Sequence, residues 1–85
     1  MPAELRHAIC VQIIRLLREE RERCGLSKYV VAKRSGLSQP MISYVERGLR
    51  NPTLETVLRM ADALGMDFAE LVKRAQVTAS KKNPK

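Results

Sequence analysis

Apolar residues Leu5, Ile9, Ile13, Leu16 and Leu17 recur at spacings of three and four, which predicts a helix from about Glu4 to Arg23. Cys10 and Ile14 widen this stripe to roughly half the helix circumference at about 100° per residue. Such a helix is either wedged deeply between its neighbours or meets a second subunit with the outer part of the stripe. A charged run then leads to Cys24 and the stop at Gly25, and Leu26 follows as a core anchor. Two short helices come next. Ser27 and Ser38 stand where N-caps offer a hydroxyl to free backbone amides, with Pro40 tolerated in the first turn of the second. Glu46, Arg47 and Gly48 close that helix, and Leu49 to Thr53 form a loop in which Pro52 blocks continuation. Leu54, Val57, Leu58, Ala61 and Leu64 predict a fourth helix with this face in the core, ended by Gly65. Asp67 and Glu70 predict a capping box on a fifth helix, 67–76, with Phe68, Leu71 and Val72 inward. The remainder, 77–85, is short, polar and basic and is expected to be a disordered tail behind a single domain of residues 1–76. No strand pattern or repeat appears. The expected fold class is all-α, a compact five-helix domain with an extended first helix.

The segment Lys28 to Val45 organises this arrangement. Gly36 lets one helix end abruptly through the left-handed region. Ala32 is small enough for close crossing, and Val31, Leu37, Ile42 and Val45 supply apolar contacts. This spacing is the helix-turn-helix pattern, in which the second helix is held out for a DNA major groove.

Charge strengthens that reading by its location. The net charge is +7. Residues 1–25 hold five basic and four acidic side chains, and residues 54–76 hold three and four, so both are nearly neutral. Residues 26–53 carry Lys28, Lys33, Arg34, Arg47 and Arg50 against Glu46 alone. Lys81, Lys82 and Lys85 add charge at the end. A polyanionic partner fits a basic excess gathered on the motif and its loop.

Other chemistry is sparse. Cys10, Cys24 and the single His7 do not make a metal site, so no metal and no cofactor are expected. The cysteines lie on one predicted helix about 21 Å apart at 1.5 Å per residue, which points to free thiols in a reducing compartment. No run is long enough to span a membrane and the start lacks the order of a signal peptide, so a cytoplasmic protein is expected. There is no glycine-rich phosphate loop and no nucleophile with an evident base, which argues against an enzyme.

Taken together, the Gly-Leu-Ser entry at Gly25, Ala32, Gly36, Ile42, the Val-Glu-Arg-Gly of residues 45–48, the Asn-Pro-Thr loop and the Ala-Leu-Gly-Met before the last helix resemble the Cro and phage-repressor type of helix-turn-helix, the xre family. The resemblance covers roughly Leu17 to Lys73. It implies a lambda-repressor-like domain that binds operator DNA as a symmetric dimer, with a recognition helix at about 38–47. Carried over residue by residue, it places Gln39, Pro40, Ser43 and Tyr44 against bases, and Lys28, Ser38, Arg47, Arg50 and Asn51 against phosphates. Gln39 suits direct readout because a carboxamide pairs bidentately with adenine N6 and N7. Ser43 serves either base type, and Tyr44 can meet a phosphate, sugar or thymine methyl. Pro40 has no donor and departs from the polar residue usual there, so readout at that place is steric or absent. Lys28 stands where the family commonly has glutamine. The resemblance also implies a structural ion pair between Arg21 and Glu46 that ties the first helix to the recognition helix.

The expected function is a sequence-specific transcriptional regulator acting on double-stranded DNA as a homodimer on paired half-sites. Repression by blocking RNA polymerase and activation by touching it are both compatible. The alternative is an antitoxin-type interaction module that binds a toxin as well as its own operator.

Overall fold

The computed structural model describes residues 1–82. Five α-helices follow one another: α1 Ala3–Arg23, α2 Lys28–Ser35, α3 Gln39–Glu46, α4 Leu54–Ala63 and α5 Phe68–Lys82. The described residues contain no strand. α1 packs along α5, α2 packs against both α3 and α4, and α1 also reaches α3. Each helix contributes to one core, built on Leu16 and Leu17, Val31 and Ala32, Ile42 and Val45, Met60 and Ala61, and Leu71 and Ala75. Burying a side chain such as Leu17 or Ile42 stabilises the fold by about 1.5–3 kcal/mol relative to leaving it in water.

The short helices are set by their ends. Val30 N–H donates to Ser27 Oγ at 3.1 Å, Met41 N–H to Ser38 Oγ at 3.2 Å, and Thr56 N–H to Thr53 Oγ1 at 3.1 Å. Each serine or threonine thereby satisfies an amide that lacks an intrahelical acceptor. Asp67 does the same for α5, accepting from Glu70 N–H at 2.9 Å. Gly36 ends α2 at φ 74°, and its N–H closes on the Ala32 carbonyl.

Two arginines join α2 to α4 through the carbonyls at the helix ends. Arg59 of α4 donates to the Ser35 carbonyl at 3.0 Å, and Arg34 of α2 donates to the Ala63 carbonyl at 3.5 Å. Each helix thus satisfies a terminal carbonyl of the other, where a cation is also favoured by the helix dipole. Arg59 is steadied in turn by Glu55 one turn earlier.

Two features differ from the sequence reading. Leu54 and Leu58, expected in the core of α4, are 63% and 42% exposed, while Met60 and Ala63 are buried with Val57, Ala61 and Leu64. The inward face of α4 is therefore rotated toward Met60. The second difference is at the chain's end. α5 does not stop at 76 but continues through 77–82, the first part of the expected disordered tail. Ala75 and Ala79 are fully buried at a spacing of four, so the contact with α1 carries the helix onward. Residues 83–85, the rest of that tail, lie outside the described residues.

Replacing Gly36 by alanine should destabilise the protein. A Cβ at φ 74° costs about 1–2 kcal/mol and would lie 3.0 Å from Arg59 Nη1, loosening its bond to Ser35. A melt of Gly36→Ala should show a midpoint several degrees lower, by the roughly 4–8 °C per kcal/mol of a domain this size.

Candidate nucleic-acid interface

α3 divides cleanly into two faces. Ile42 and Val45 are fully buried and Glu46 nearly so, whereas Gln39, Pro40, Tyr44 and Arg47 are exposed and Ser43 is half-buried. Met41 lies partly buried against the core. Every residue that the sequence reading placed against bases therefore sits on the accessible side of one eight-residue helix. Of those placed against phosphates, Ser38 caps the start of α3, Arg47 caps its end, and Arg50 and Asn51 are exposed in the following loop. Lys28 is the first residue of α2 and is half-buried.

What fixes α3 to the body is an ion pair. Arg21 Nε donates to Glu46 Oε2 at 2.7 Å and Nη2 to Oε1 at 2.9 Å, a bidentate arrangement. The third nitrogen of the guanidinium, Nη1, donates to the Leu26 carbonyl at 2.9 Å. The pair is nearly dry, with side chains 13% and 3% exposed. Hydrogen bonding to Glu46 holds the Arg21 pKa above its ordinary value, so the cation is permanent. One side chain thus links α1, the turn before α2, and the last residue of α3.

This surface is electropositive because its cations are not neutralised from within. In α1, Arg15 pairs with Glu19, Arg18 with Glu22 and Arg23 with Glu20; in α4, Arg59 pairs with Glu55. Among the described residues, Lys28, Lys33, Arg34, Arg47 and Arg50 form no ion pair with a carboxylate. Arg50 instead lies over the Tyr44 ring at 5.8 Å, and Lys33 over the Tyr29 ring at 5.5 Å. These contacts hold the charge near the surface without cancelling it.

Two contacts here escaped the sequence. Lys28 Nζ donates to Ser43 Oγ at 3.3 Å, and Arg50 stacks on Tyr44 across the end of α3. Both join residues assigned to different tasks, and neither follows a helical spacing that the chain alone would display. The Tyr29–Lys33 contact did carry a signal, since aromatic and cation stand four apart on one helix. Gln12 is a buried polar residue within the apolar stripe of α1, where its Oε1 accepts from Arg15 Nε at 2.7 Å.

A short helix with a polar outward face, held by caps beneath an unpaired basic rim, defines a DNA-binding helix-turn-helix domain. Comparison with known proteins agrees. Residues 17–71 match the helix-turn-helix family model. The uncharacterised HTH-type transcriptional regulator y4dJ of Sinorhizobium fredii is 42% identical over 69 residues, which are 81% of this chain and 84% of that protein. The uncharacterised HTH-type regulator Rv0474 of Mycobacterium tuberculosis is 39% identical over 61 residues, 72% of this chain, but the match spans only 44% of that protein. Among solved structures, the restriction-modification controller protein C.AhdI from Aeromonas hydrophila aligns with a TM-score of 0.67 at 40% identity, over 73% of this chain and 94% of the other. The chain belongs to the Cro and phage-repressor type of helix-turn-helix family and has its all-α, lambda-repressor-like fold. It is a DNA-binding transcriptional regulator by family. No helix among the described residues is long and apolar enough to cross a membrane.

Removing Glu46 leaves Arg21 buried without its partner, which costs about 3–5 kcal/mol. Glu46→Ala should therefore lose most of its thermal stability, and lose DNA binding in proportion to the unfolded fraction. A melting curve unchanged from wild type would show that the pair does not secure α3.

Proposed function

We propose that this protein is a sequence-specific regulator that acts by binding alone, without catalysis, as a cytoplasmic homodimer on paired half-sites. α3 enters the major groove of each half-site. The observation that supports this best is the coincidence of an outward polar face on α3 with unpaired cations on and beside it. Gln39 reads adenine through its bidentate N6 and N7 edge. Tyr44 packs on a sugar or thymine methyl, and Pro40 contributes shape only. Ser38, Arg47, Arg50 and Asn51 hold the backbone and set orientation. Lys28 stands between the two groups, at the head of α2 and against Ser43.

Dimerisation has a candidate surface in the leucines that α4 and its loop leave outside. Leu49 is 61% exposed, and Leu54 and Leu58 lie one turn apart on the same helix face. A second copy would cover them. A toxin as partner is the lesser reading, favoured by shallow apolar grooves beside α1 that include Cys10, Val11, Ile13 and Ile14.

The decisive measurement is a binding titration on selected and random duplexes at several salt concentrations. Specific binding predicts a large affinity ratio between the two and a steep fall with salt; equal affinity for both would sink the reading. Gln39→Ala should cost about 1–3 kcal/mol on the selected site and relax one base position. Arg47→Ala should weaken all duplexes alike and lower the salt slope by about 1. Leu54→Glu combined with Leu58→Glu should shift the protein from dimer to monomer in sedimentation while leaving its helix content intact.

A further inference from the structure

One cation of the helix-turn-helix is held against the recognition helix instead of standing free. Lys28 Nζ donates to Ser43 Oγ at 3.3 Å, joining the first residue of α2 to the middle of α3, and both residues are half-buried. Serine alone is an indifferent reader, with one hydroxyl donor and two acceptor lone pairs. The ammonium removes that indifference. It occupies one lone pair, and its positive charge makes the second a poorer acceptor for a further N–H donor. Among the described residues the Ser43 hydroxyl donates to no protein oxygen, so its proton is available outward. Lys28 has three N–H donors and no acceptor, with one engaged by Ser43. Together the two side chains keep donors that no described residue engages.

We propose that Lys28 and Ser43 form a single donor-only unit that selects guanine in the major groove. Guanine presents two acceptors, N7 and O6, and no donor; adenine sets an amino donor beside its N7 acceptor, cytosine presents an amino donor, and thymine offers one acceptor beside a methyl group, so guanine alone can accept from both donors. Ser43 follows Gln39 by four residues, about 6 Å along the helix axis, or about two base-pair steps of 3.4 Å. The guanine therefore lies within about two base pairs of the position read by Gln39. This inference rests on α3 entering the major groove as proposed above. It makes Lys28 a determinant of specificity and not a uniform phosphate anchor.

The test is selection from a random duplex pool by wild type, Lys28→Met, Ser43→Ala and Gln39→Ala, each shown to be folded by its circular dichroism and melt. Wild type should select a guanine within about two base pairs of the position that Gln39→Ala relaxes. Both Lys28→Met and Ser43→Ala should relax that guanine and nothing else, losing about 5- to 150-fold in discrimination. Replacing that guanine by 7-deazaguanine should weaken wild type and leave Lys28→Met unaffected. Three results overturn the inference while the regulator reading stands: a consensus without such a guanine, a Lys28→Met variant that keeps the guanine and weakens every duplex equally, or a Ser43→Ala variant that keeps full discrimination. A wild type that selects no consensus overturns both.

Discussion

The buried guanidinium of Arg21 is the constraint on which the placement of the helix-turn-helix depends. It uses all three of its nitrogens: two on Glu46 and one on the Leu26 carbonyl. An ion pair this dry adds little net stability compared with an apolar pair of the same shape, because both charges had to leave water. Its value is positional. A bidentate carboxylate accepts a planar fork in few orientations, so α3 is held at one rotation about its axis. That rotation keeps Ile42 and Val45 in the core and leaves Gln39, Ser43 and Tyr44 accessible.

The distribution of charge follows a similar division of labour. Arginines on α1 and α4 find carboxylates three or four residues away on their own helices, contacts worth only tenths of a kcal/mol at the surface. Energetically they matter little. Electrostatically they cancel most of the charge of α1 and α4, so that the positive field left over comes from the motif with its loop and from α5, which carries Lys73, Arg74 and Lys81. Tyr29 and Tyr44 place Lys33 and Arg50 without neutralising them, since an aromatic ring attracts a cation through its quadrupole and carries no net charge.

Much of this was legible in the chain. The serine and threonine caps, the left-handed Gly36 and the inward Val31, Ile42 and Val45 are dictated by local chemistry, and local chemistry is what a sequence displays. The face of α4 was not. Leu54 and Leu58 fit an apolar stripe as well as Met60 and Ala63 do, and the choice between them is made by where α2 and α5 approach, which no spacing within α4 records. The length of α5 failed for a related reason. Residues 77–82 look polar because the residue among them that is fully buried is Ala79, whose small side chain carries a weak apolar signal. At the interface, the outward residues of α3 could be found from the family pattern, whereas the Lys28 bond to Ser43 could not, because it joins two helices.

The reciprocal bonds between α2 and α4 have a mechanical consequence. With Arg59 on the end of α2 and Arg34 near the end of α4, and with α3 fixed from the other side by Arg21, both helices of the motif are tied to the body of the domain. Adjustment on binding then falls to the duplex. On paired half-sites, the bases between them would be twisted or bent to bring both grooves into register, and the work of doing so differs between stiff A-tracts and flexible pyrimidine–purine steps. Positions that no side chain touches would thereby enter the operator's sequence preference through their elasticity.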